Sequence, residues 1–547
     1  MPEEFVSAHT EPSAVLDEAH LGDIRGALGT IRQHDSDSRR TWKARLITLA
    51  AIVGPGIIVM VGDNDAGGVA TYSQAGQNFG TSLLWTLILL IPVLIVNQEM
   101  VVRLGAVTGV GHARLIKERF GRFWGWFSVG DLFLLDFLTI VTEFIGVDLA
   151  LGYFGVSKYI SVPVAAVGLV AMTASGSFRR WERFMLIFVA ANFLVIPLAI
   201  MSHPHAGPVL HGLVVPGISG GVTSTSVLLI IAIVGTTVAP WQLFFQQSNI
   251  IDKRITPRWI NYERADTVIG SIVTVVGAGA MIATCAFAFS HSHFFGAFNN
   301  AGTVASALSK QLGYAAGALY AVVLLNASII GAAAVTLGTS YAFGDMFGAR
   351  HSLHRTFTEA PGFYASYAGL VAVAGAIVLI PHAPLGLITT AVQALAGLLL
   401  PSASLFLLLL CNDREVLGPW VNRLWLNVIA ILIIGVLIIL SLILVITTLF
   451  PSVNVTTLFL ILSGILVLAL AGGALSYVLK RSKSRGASEG GESVDRRETW
   501  RMPPLTLLGR PKWSKGRTVA IWSLRGYLFI AVALLLVRAI QLGIGGH

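Results

Sequence analysis

The sequence predicts an all-α polytopic membrane protein, and three observations lead to that prediction. Of its 547 residues, 55% are hydrophobic and only 12% are charged, whereas a soluble domain carries about 25% charged residues. The mean hydropathy is +0.76. Apolar stretches of about 20 residues, the length that crosses a bilayer as a helix, recur along most of the chain. We therefore interpret the chain as a series of membrane-spanning helices.

We place about 12 membrane spans in a transmembrane domain of residues 44–480. In chain order, spans 1 to 12 are expected at 44–79, 82–104, 124–153, 159–175, 183–202, 225–248, 266–290, 312–345, 364–381, 385–411, 424–449 and 457–479. Residues 1–43 are polar and mixed in charge, and we expect a cytosolic N-terminal tail. Residues 481–547 are expected to form a second cytosolic tail, in which 527–537 is expected to be a short amphipathic or membrane-associated helix, with a thirteenth span as the alternative.

The loop charges predict the orientation of these spans. With a cytosolic N-terminus, the outer loops carry only Lys158 and Lys310 as basic residues other than histidine. The inner loops carry Arg114, Lys117, Arg119, Arg122, Arg179, Arg180, Lys253, Arg254, Arg258, Arg350, Arg355, Arg414 and Arg423. This asymmetry is the positive-inside pattern, so both termini are expected to be cytoplasmic. It also accounts for the net charge of +9 without a nucleic-acid partner.

Span 1 is expected to be broken in its middle, at Gly62-Asp63-Asn64-Asp65-Ala66-Gly67-Gly68. Glycine weakens a helix because it loses more backbone freedom on ordering than other residues. An unwound segment at membrane depth is tolerated only where it lines a cavity or is buried in protein. A carboxylate near the bilayer centre costs roughly 2.5–3.5 kcal/mol on insertion scales. Asp65 beside unwound carbonyl groups therefore predicts a cation site.

Span 6 carries a second expected break. Pro240 removes a backbone donor and clashes with the preceding turn, so the helix is expected to open near 236–239. Five spans separate the starts of the two broken helices. Broken helices at matching positions of two halves predict a midplane binding site in an inverted-repeat transporter.

At these residues the sequence resembles the NRAMP family of divalent-metal transporters. The matching segments are 54–56, 62–65, 70–71, 74–76, 79–80, 83–85, 143–146, 235–240 and 412–418. The resemblance covers roughly residues 44–480 and implies a LeuT-type fold, in which spans 1–5 and 6–10 are inverted repeats. It also implies alternating access around a central metal ion.

The sequence departs from the family at both breaks. Where the family carries D-P-G-N in span 1, this chain has Asp65-Ala66-Gly67-Gly68. Where the family carries M-P-H in span 6, this chain has Ala239-Pro240-Trp241. The carboxylate is kept, whereas the asparagine amide, the methionine sulfur and the histidine imidazole are lost. These changes resemble those of the NRAMP-related magnesium transporters.

The losses favour a hard ion. A thioether favours transition metals, whereas Mg²⁺ takes oxygen ligands and usually keeps several waters. Replacement by Gly68 and Ala239 is expected to leave room for a partly hydrated ion. Asp65 is expected to be the charged ligand, with backbone carbonyls around Ala66 and Thr236 as neutral ligands. Gln393 matches a family glutamine close to the ion and is expected to hold a coordinated water.

Two further polar residues keep open assignments. Asp63 is expected either to face a water-filled entrance or to have a structural pairing role. Asn326 in span 8 is expected either to line the site or to form an interhelical hydrogen bond.

Proton coupling is not expected. In the family, a histidine in span 6 and acids in span 3 are associated with a proton route. Trp241 occupies the histidine position, and Ile140 occupies the position of one acid. Neither side chain titrates, although Glu143 remains in span 3.

The function predicted is a secondary transporter of Mg²⁺, and also of Mn²⁺, in a bacterial plasma membrane. One alternative is a proton-coupled Mn²⁺ or Fe²⁺ transporter, and another is an NRAMP-like sensor or signalling domain without transport. We expect no enzyme activity and no cofactor, since the metal ions are the transported substrate. The chain has no G-x-x-x-x-G-K-[ST] phosphate loop, so ATP is not an expected partner.

Overall fold

The protein is described by a computed structural model of residues 17–381, 385–450, 453–483, 500–509 and 521–524, together with positions 497, 518, 526, 527 and 529. The apolar run 527–537 lies almost entirely outside the described residues. Helices make up most of the described chain, and one two-stranded antiparallel sheet, Ile24–Arg25 with Thr30–Ile31, lies near the N-terminus.

The first nine helices fall in the region of spans 1–5. They are α1 (Trp42–Ile52), α2 (Pro55–Gly62), α3 (Ala66–Phe79), α4 (Trp85–Thr108), α5 (His112–Phe120), α6 (Arg122–Tyr153), α7 (Lys158–Thr173), α8 (Phe178–Asn192) and α9 (Val195–Met201). Span 1 thus consists of three helices. Besides the predicted break, α1 and α2 meet at a bend of 54° beside Gly54.

The next helices cover spans 6–10 and the loops between them. They are α10 (Ala206–Val214), α11 (Ser224–Thr237), α12 (Pro240–Asp252), α13 (Ile260–Phe289), α14 (Ala301–Leu312), α15 (Tyr314–Phe347), α16 (Pro361–Val378) and α17 (Leu385–Cys411). The remaining helices are α18 (Arg414–Leu417), α19 (Leu424–Leu449) and α20 (Val455–Lys483).

Each predicted span overlaps one of these helices or a group of consecutive helices. Among the described residues, nine helices are long and apolar enough to cross a membrane, or ten if the bent pair α1–α2 counts as one span. The 32-residue α6, with its four acidic residues, and the 16-residue α7 are outside this set. The count of about 12 spans therefore stays a prediction.

Helices five spans apart pack against each other. α6 of span 3 makes the most extensive helix contact with α15 of span 8, and α4 of span 2 packs on α13 of span 7. In spans 1 and 6, α3 packs on α11 and α2 packs on α12. This pairing is what two inverted repeats related by a two-fold axis in the membrane plane produce, and it brings the two breaks together at the centre.

The N-terminal region is more ordered than the predicted tail. Residues 17–31, which we call the strap, lie against helix ends and loops of the transmembrane domain. Arg179, Arg254 and Arg355 all donate hydrogen bonds to this strap. Three loops that were predicted to share one side of the membrane therefore lie at the same end of the molecule.

Candidate metal site at the two helix breaks

The break in span 1 is shorter than its glycine content predicts. α2 ends at Gly62 and α3 begins at Ala66, so only Asp63, Asn64 and Asp65 separate the two helices. Gly67 and Gly68 belong to the first turn of α3. The break therefore lies within the predicted segment but is shorter than it, because the carboxylate of Asp65 caps α3 and starts the helix at Ala66.

Asp65 is buried at the positive end of α3. Its side chain is 2% exposed, and its Oδ1 accepts a hydrogen bond from the backbone N–H of Gly68 at 2.6 Å. A carboxylate at a helix N-terminus is stabilised by the unpaired N–H groups and by the helix dipole. The fold therefore fixes the orientation of this carboxylate while excluding bulk water from it.

A second carboxyl group lies beside Asp65. Glu143 on α6 is fully buried, and its Oε2 accepts a hydrogen bond from the backbone N–H of Ala66 at 3.1 Å. Gly331 on α15 packs against both acids, since a Cβ atom there would lie 2.7 Å from Glu143 Oε2 and 2.8 Å from Asp65 Cβ. Spans 1, 3 and 8 thus meet at this pair of carboxyl groups.

Asp63 adds a third buried acid at the break. It is fully buried, and neither carboxylate oxygen has a hydrogen-bond partner among the described residues. This conformation shows neither the water-filled entrance nor the structural pairing considered for Asp63. In the described chain, no basic side chain forms an ion pair with Asp63, Asp65 or Glu143. Uncompensated carboxylates are costly to bury, so the break requires protons or a cation.

The break in span 6 leaves a backbone carbonyl group without its helical hydrogen-bond donor. α11 ends at Thr237, Val238 and Ala239 follow, and α12 begins at Pro240. A helical carbonyl normally accepts from the N–H four residues later, but Pro240 has no N–H to offer Thr236. Ser224–Asp252 still passes as one apolar span of 29 residues. The opening predicted near 236–239 is a two-residue gap, Val238 and Ala239, between the two half-helices.

Thr236 and Gln393 both lie at the first turn of α3. The Thr236 hydroxyl is buried and would lie 3.1 Å from a Cβ atom on Gly68. The Gln393 amide of α17 is 2% exposed and fits only because Gly67 has no side chain. The amide nitrogen of Gln393 has no hydrogen-bond partner among the described residues. The structure thus brings Asp65, Thr236 and Gln393 together around one turn of helix.

The comparison with known sequences identifies the family. The profile of Nramp, natural resistance-associated macrophage protein-like, matches residues 56–447, which is well over half of the chain. The chain belongs to the Nramp family. Together with its apolar helices, this membership makes it an integral membrane protein.

Two bacterial relatives are named divalent metal cation transporter MntH. The Erwinia tasmaniensis protein is 30% identical over 337 residues, which are 58% of this chain and 78% of that protein. The Aeromonas hydrophila protein is 27% identical over 390 residues, which are 68% of this chain and 89% of that protein.

Solved structures of the Eremococcus coleocola manganese transporter share the fold. The complex with an aromatic bis-isothiourea substituted compound has a TM-score of 0.61 at 21% identity, and covers 82% of this chain and 97% of that chain. A mutant of the same transporter has the same score and identity, and covers 84% and 98%. The LeuT-type fold with two inverted repeats, predicted from the sequence, is confirmed.

The room expected at the substituted positions of this Nramp protein is not present in this conformation. A Cβ atom on Gly68 would lie 2.7 Å from the carbonyl oxygen of Asp63, so the chain closes onto the glycine. Ala239 is 5% exposed and precedes the first turn of α12. The ring of Trp241 would lie 3.2 Å from a Cβ atom on Gly62 and fills the space beside the break.

Ala66 does not supply the freed carbonyl that was predicted. It is the first residue of α3, where the groups without a helical partner are N–H donors rather than carbonyl acceptors. Ala66 instead donates its N–H to Glu143. At the end of α2, the carbonyls of Met60 and Val61 accept from the backbone N–H groups of Asp63 and Asn64 instead of from a further turn of helix. Asn326 forms the interhelical hydrogen bond considered for it, to the carbonyl of Phe188 at 3.1 Å.

Two polar contacts at the breaks were missed from the sequence. Tyr72 of α3 hydrogen-bonds Thr237 at the end of α11, with 2.8 Å between the hydroxyl oxygens. Asn64 donates to the carbonyl of Thr274 on α13 at 3.2 Å. The available signal was a tyrosine and an asparagine at membrane depth, since such groups need buried partners. Within the described residues, no group of three or more His, Cys, Asp or Glu side chains forms a metal centre.

Proposed function

We propose that this protein is a secondary transporter of divalent cations that carries Mg²⁺, and also Mn²⁺, by alternating access without proton coupling. One observation carries the proposal. Asp65 is a buried carboxylate at the end of a broken helix, and the facing break offers an apolar Ala239 and Trp241 where the family has sulfur and imidazole.

The donor set suits a hard ion. Asp65 supplies one charged oxygen, Thr236 supplies a carbonyl and a hydroxyl, and Gln393 supplies a side-chain amide. Oxygen ligands and retained water are what Mg²⁺ requires, and Mn²⁺ accepts carboxylate and carbonyl oxygen as well. The proposed donor set contains no sulfur atom, the ligand that softer metals prefer. A central ion held by one carboxylate keeps part of its water shell, so the occupied state must open wider than the closed conformation described.

The absence of a titrating side chain at two positions supports uncoupled transport. Trp241 and Ile140 are buried and carry no ionisable group. Glu143 already accepts the N–H of Ala66, which gives it a structural role. The membrane potential contributes about 2.3 kcal/mol per charge per 100 mV, which favours inward movement of a divalent ion without a second gradient.

The relatives support the metal class and the location. The two MntH proteins are named as divalent metal cation transporters, and the solved relative is a manganese transporter. All three come from bacteria, which supports a bacterial plasma membrane. The strap contacts the basic loops at one end of the molecule, and the positive-inside pattern supports a cytoplasmic location for that end and for both termini.

A proton-coupled Mn²⁺ or Fe²⁺ transporter is the second candidate, and the position of Glu143 favours it. Glu143 is a buried carboxyl group that lies beside Asp65 against Gly331, and it gives the site a side chain able to carry a proton. The two candidates differ in whether metal uptake moves protons.

Uptake of Mg²⁺ and of Mn²⁺ into proteoliposomes, each with a trapped pH dye, tests the proposal. We expect saturable uptake of both ions at constant internal pH, and loss of uptake in Asp65→Ala. Stoichiometric pH change would favour the proton-coupled candidate. Metal flux equal to that of empty liposomes would favour a sensor without transport.

A further inference from the structure

The strap of residues 17–31 contacts the cytoplasmic ends of both broken spans. Gly29 packs on α1, since a Cβ atom there would lie 2.8 Å from the Cβ of Ala51. Arg254, two residues after the end of α12, donates hydrogen bonds to the carbonyls of Ala19 at 2.9 Å and Asp23 at 3.2 Å. The strap is thus attached to spans 1 and 6.

The same strap is attached to span 5. Three residues spaced i, i+3 and i+4 along α8 hold it: Arg179 donates to the carbonyl of Gly26 at 2.9 Å, Arg183 donates to the carbonyl of Ala27 at 3.1 Å, and Glu182 accepts the N–H of Ala27. These bonds use backbone groups of the turn between the two short strands, so they require the turn to stay folded against α8.

The loop between spans 8 and 9 holds the start of the strap. Asp17 is 2% exposed on its side chain and forms an ion pair with Arg355, which donates from Nε at 2.9 Å. His20 is 8% exposed, and its Nε2 lies 3.1 Å from the carbonyl oxygen of His351 and 3.6 Å from Asp252. Asp252 is the last residue of α12. The strap therefore joins span 6 to the loop of residues 348–360.

A buried ion pair links the strap to the bend between α1 and α2 in span 1. Lys253 is fully buried, contacts Glu182 at 2.6 Å, and donates to the carbonyl of Val53 at 3.0 Å. Val53 and Gly54 separate α1 from α2 at the 54° bend. Glu182 therefore contacts both the strap and the lysine that holds this bend.

We infer that the strap is an autoinhibitory latch, which holds the cytoplasmic side closed by joining spans 1 and 6 to span 5 and the 348–360 loop. In an inverted-repeat transporter, the elements that carry the broken helices rock against the others to open one side. A segment bonded to both groups on the same side opposes that movement. The latch must release, or its bonds must break, before a cation leaves toward the cytoplasm. The inference rests on the proposed transport function for its effect on flux, but not for the docking itself.

Docking is measured by the distance between spin labels on Leu28→Cys and Phe357→Cys. Both positions are exposed, on the strap and on the 348–360 loop respectively, and the native Cys285 and Cys411 are buried. We expect one narrow distance distribution in the otherwise unmodified protein. Asp17→Asn and Arg355→Gln should each broaden it, and the double reversal D17R with R355D should restore it.

Flux is measured with the same variants reconstituted in proteoliposomes, as the uptake of Mn²⁺ added to the outside solution. A partly buried ion pair shifts a docked equilibrium about two- to fivefold, and we expect the initial rate of Mn²⁺ uptake to rise by that factor in Asp17→Asn and Arg355→Gln. The matched control is Asp35→Asn, which breaks an ion pair with Arg39 within the N-terminal region. It should leave label distance and rate unchanged.

The outcomes separate the latch from the proposed function. An unchanged label distance in Asp17→Asn and Arg355→Gln overturns the latch. Broadened distances with an unchanged or slower uptake rate also overturn it, because the strap would then not inhibit. If the parent protein moves no Mn²⁺ and no Mg²⁺, the proposed function fails and the autoinhibitory role fails with it, whereas broadened distances would still confirm the docking contacts.

Discussion

Glu143 on α6 accepts a hydrogen bond from the backbone N–H of Ala66 at 3.1 Å, at the break in span 1. This bond satisfies one of the N–H groups that the start of α3 leaves without a helical partner. Asp65 satisfies another, through Gly68. The two acids of the site therefore stabilise the broken backbone as well as carrying negative charge, and substitutions must separate these roles.

Glu143→Gln is expected to retain metal uptake, because an amide oxygen still accepts the Ala66 N–H. Glu143→Ala is expected to lower uptake about tenfold, since an unsatisfied buried donor costs roughly 1–3 kcal/mol. Both are measured as initial rates of Mg²⁺ and Mn²⁺ uptake into proteoliposomes. Loss of uptake in Glu143→Gln would contradict a purely structural role and would support proton coupling through this carboxyl group.

Ala239→Met is expected to shift preference toward soft metals. A thioether at the start of α12 adds a ligand that Cd²⁺ and Mn²⁺ use better than Mg²⁺. The measurement is competition of Cd²⁺ against Mg²⁺ uptake, in which the concentration of Cd²⁺ for half inhibition should fall several-fold. Ala239→Leu is the matched control, with similar bulk and no sulfur. An equal shift in both variants would mean that size, not sulfur, governs selectivity here.

Gly68→Ala is expected to destabilise the protein and to lower uptake. Its Cβ atom would lie 2.7 Å from the carbonyl oxygen of Asp63 and 3.1 Å from the Thr236 hydroxyl, and overpacking of this kind costs about 1–3 kcal/mol. Thermal unfolding in detergent checks this expectation. Gly152→Ala on α6 is the control, because no atom lies within 4 Å of its Cβ position. Equal melting temperatures for both variants would show that the tight closure onto Gly68 is absent in solution.

The Asp17–Arg355 pair sets a pH limit for docking of the strap. Burial alone would raise the pKa of Asp17, but hydrogen bonds from Arg355 and from the Ala19 N–H outweigh it and lower the pKa from 3.8 to about 2. Because the pKa of Asp17 is lower in the docked strap than in the free one, its ionised carboxylate stabilises docking at pH values above the ordinary pKa. This stabilisation is lost as the pH falls through the pKa of the docked state. The protection factor of the strap amides, which is the exchange rate of a free peptide divided by their own rate at the same pH, should therefore stay high down to about pH 4 and fall between about pH 4 and pH 2.

The Arg355→Gln variant tests the cause of that pH dependence. Without the guanidinium group, the pKa of Asp17 should rise toward its ordinary value. Exchange of the strap should then be faster than in the parent protein throughout the range above pH 4. Protection that depends on pH in the same way in both proteins would exclude Asp17 as the titrating group.

Local chemistry made the two breaks predictable. Pro240 cannot donate a hydrogen bond at any position in a helix, so the gap at Val238 and Ala239 follows from the sequence. The extent of the first break did not follow, because glycine is permissive and does not forbid a helix. The cap formed by Asp65 sets the point where α3 begins, and this cap depends on the φ and ψ angles of Asp65 alone.

Contacts between distant segments were not predictable. The polar composition of residues 1–43 indicated a tail, since polar segments lack the apolar surface that drives folding. The strap is nevertheless ordered by hydrogen bonds to its backbone from Arg179, Arg183 and Arg254, and such bonds leave no hydrophobic pattern in the strap itself. The contact of Glu143 with Ala66 likewise joins residues 77 positions apart.

Anomalous scattering from Mn²⁺ in crystals of the protein, with and without competing Mg²⁺, tests whether Asp65 holds the transported ion. We expect one anomalous peak at the break of span 1, within about 2.5 Å of an Asp65 carboxylate oxygen, which weakens as Mg²⁺ is added and is absent in Asp65→Ala. A peak at another site, or one at the break that persists in Asp65→Ala, would contradict this assignment.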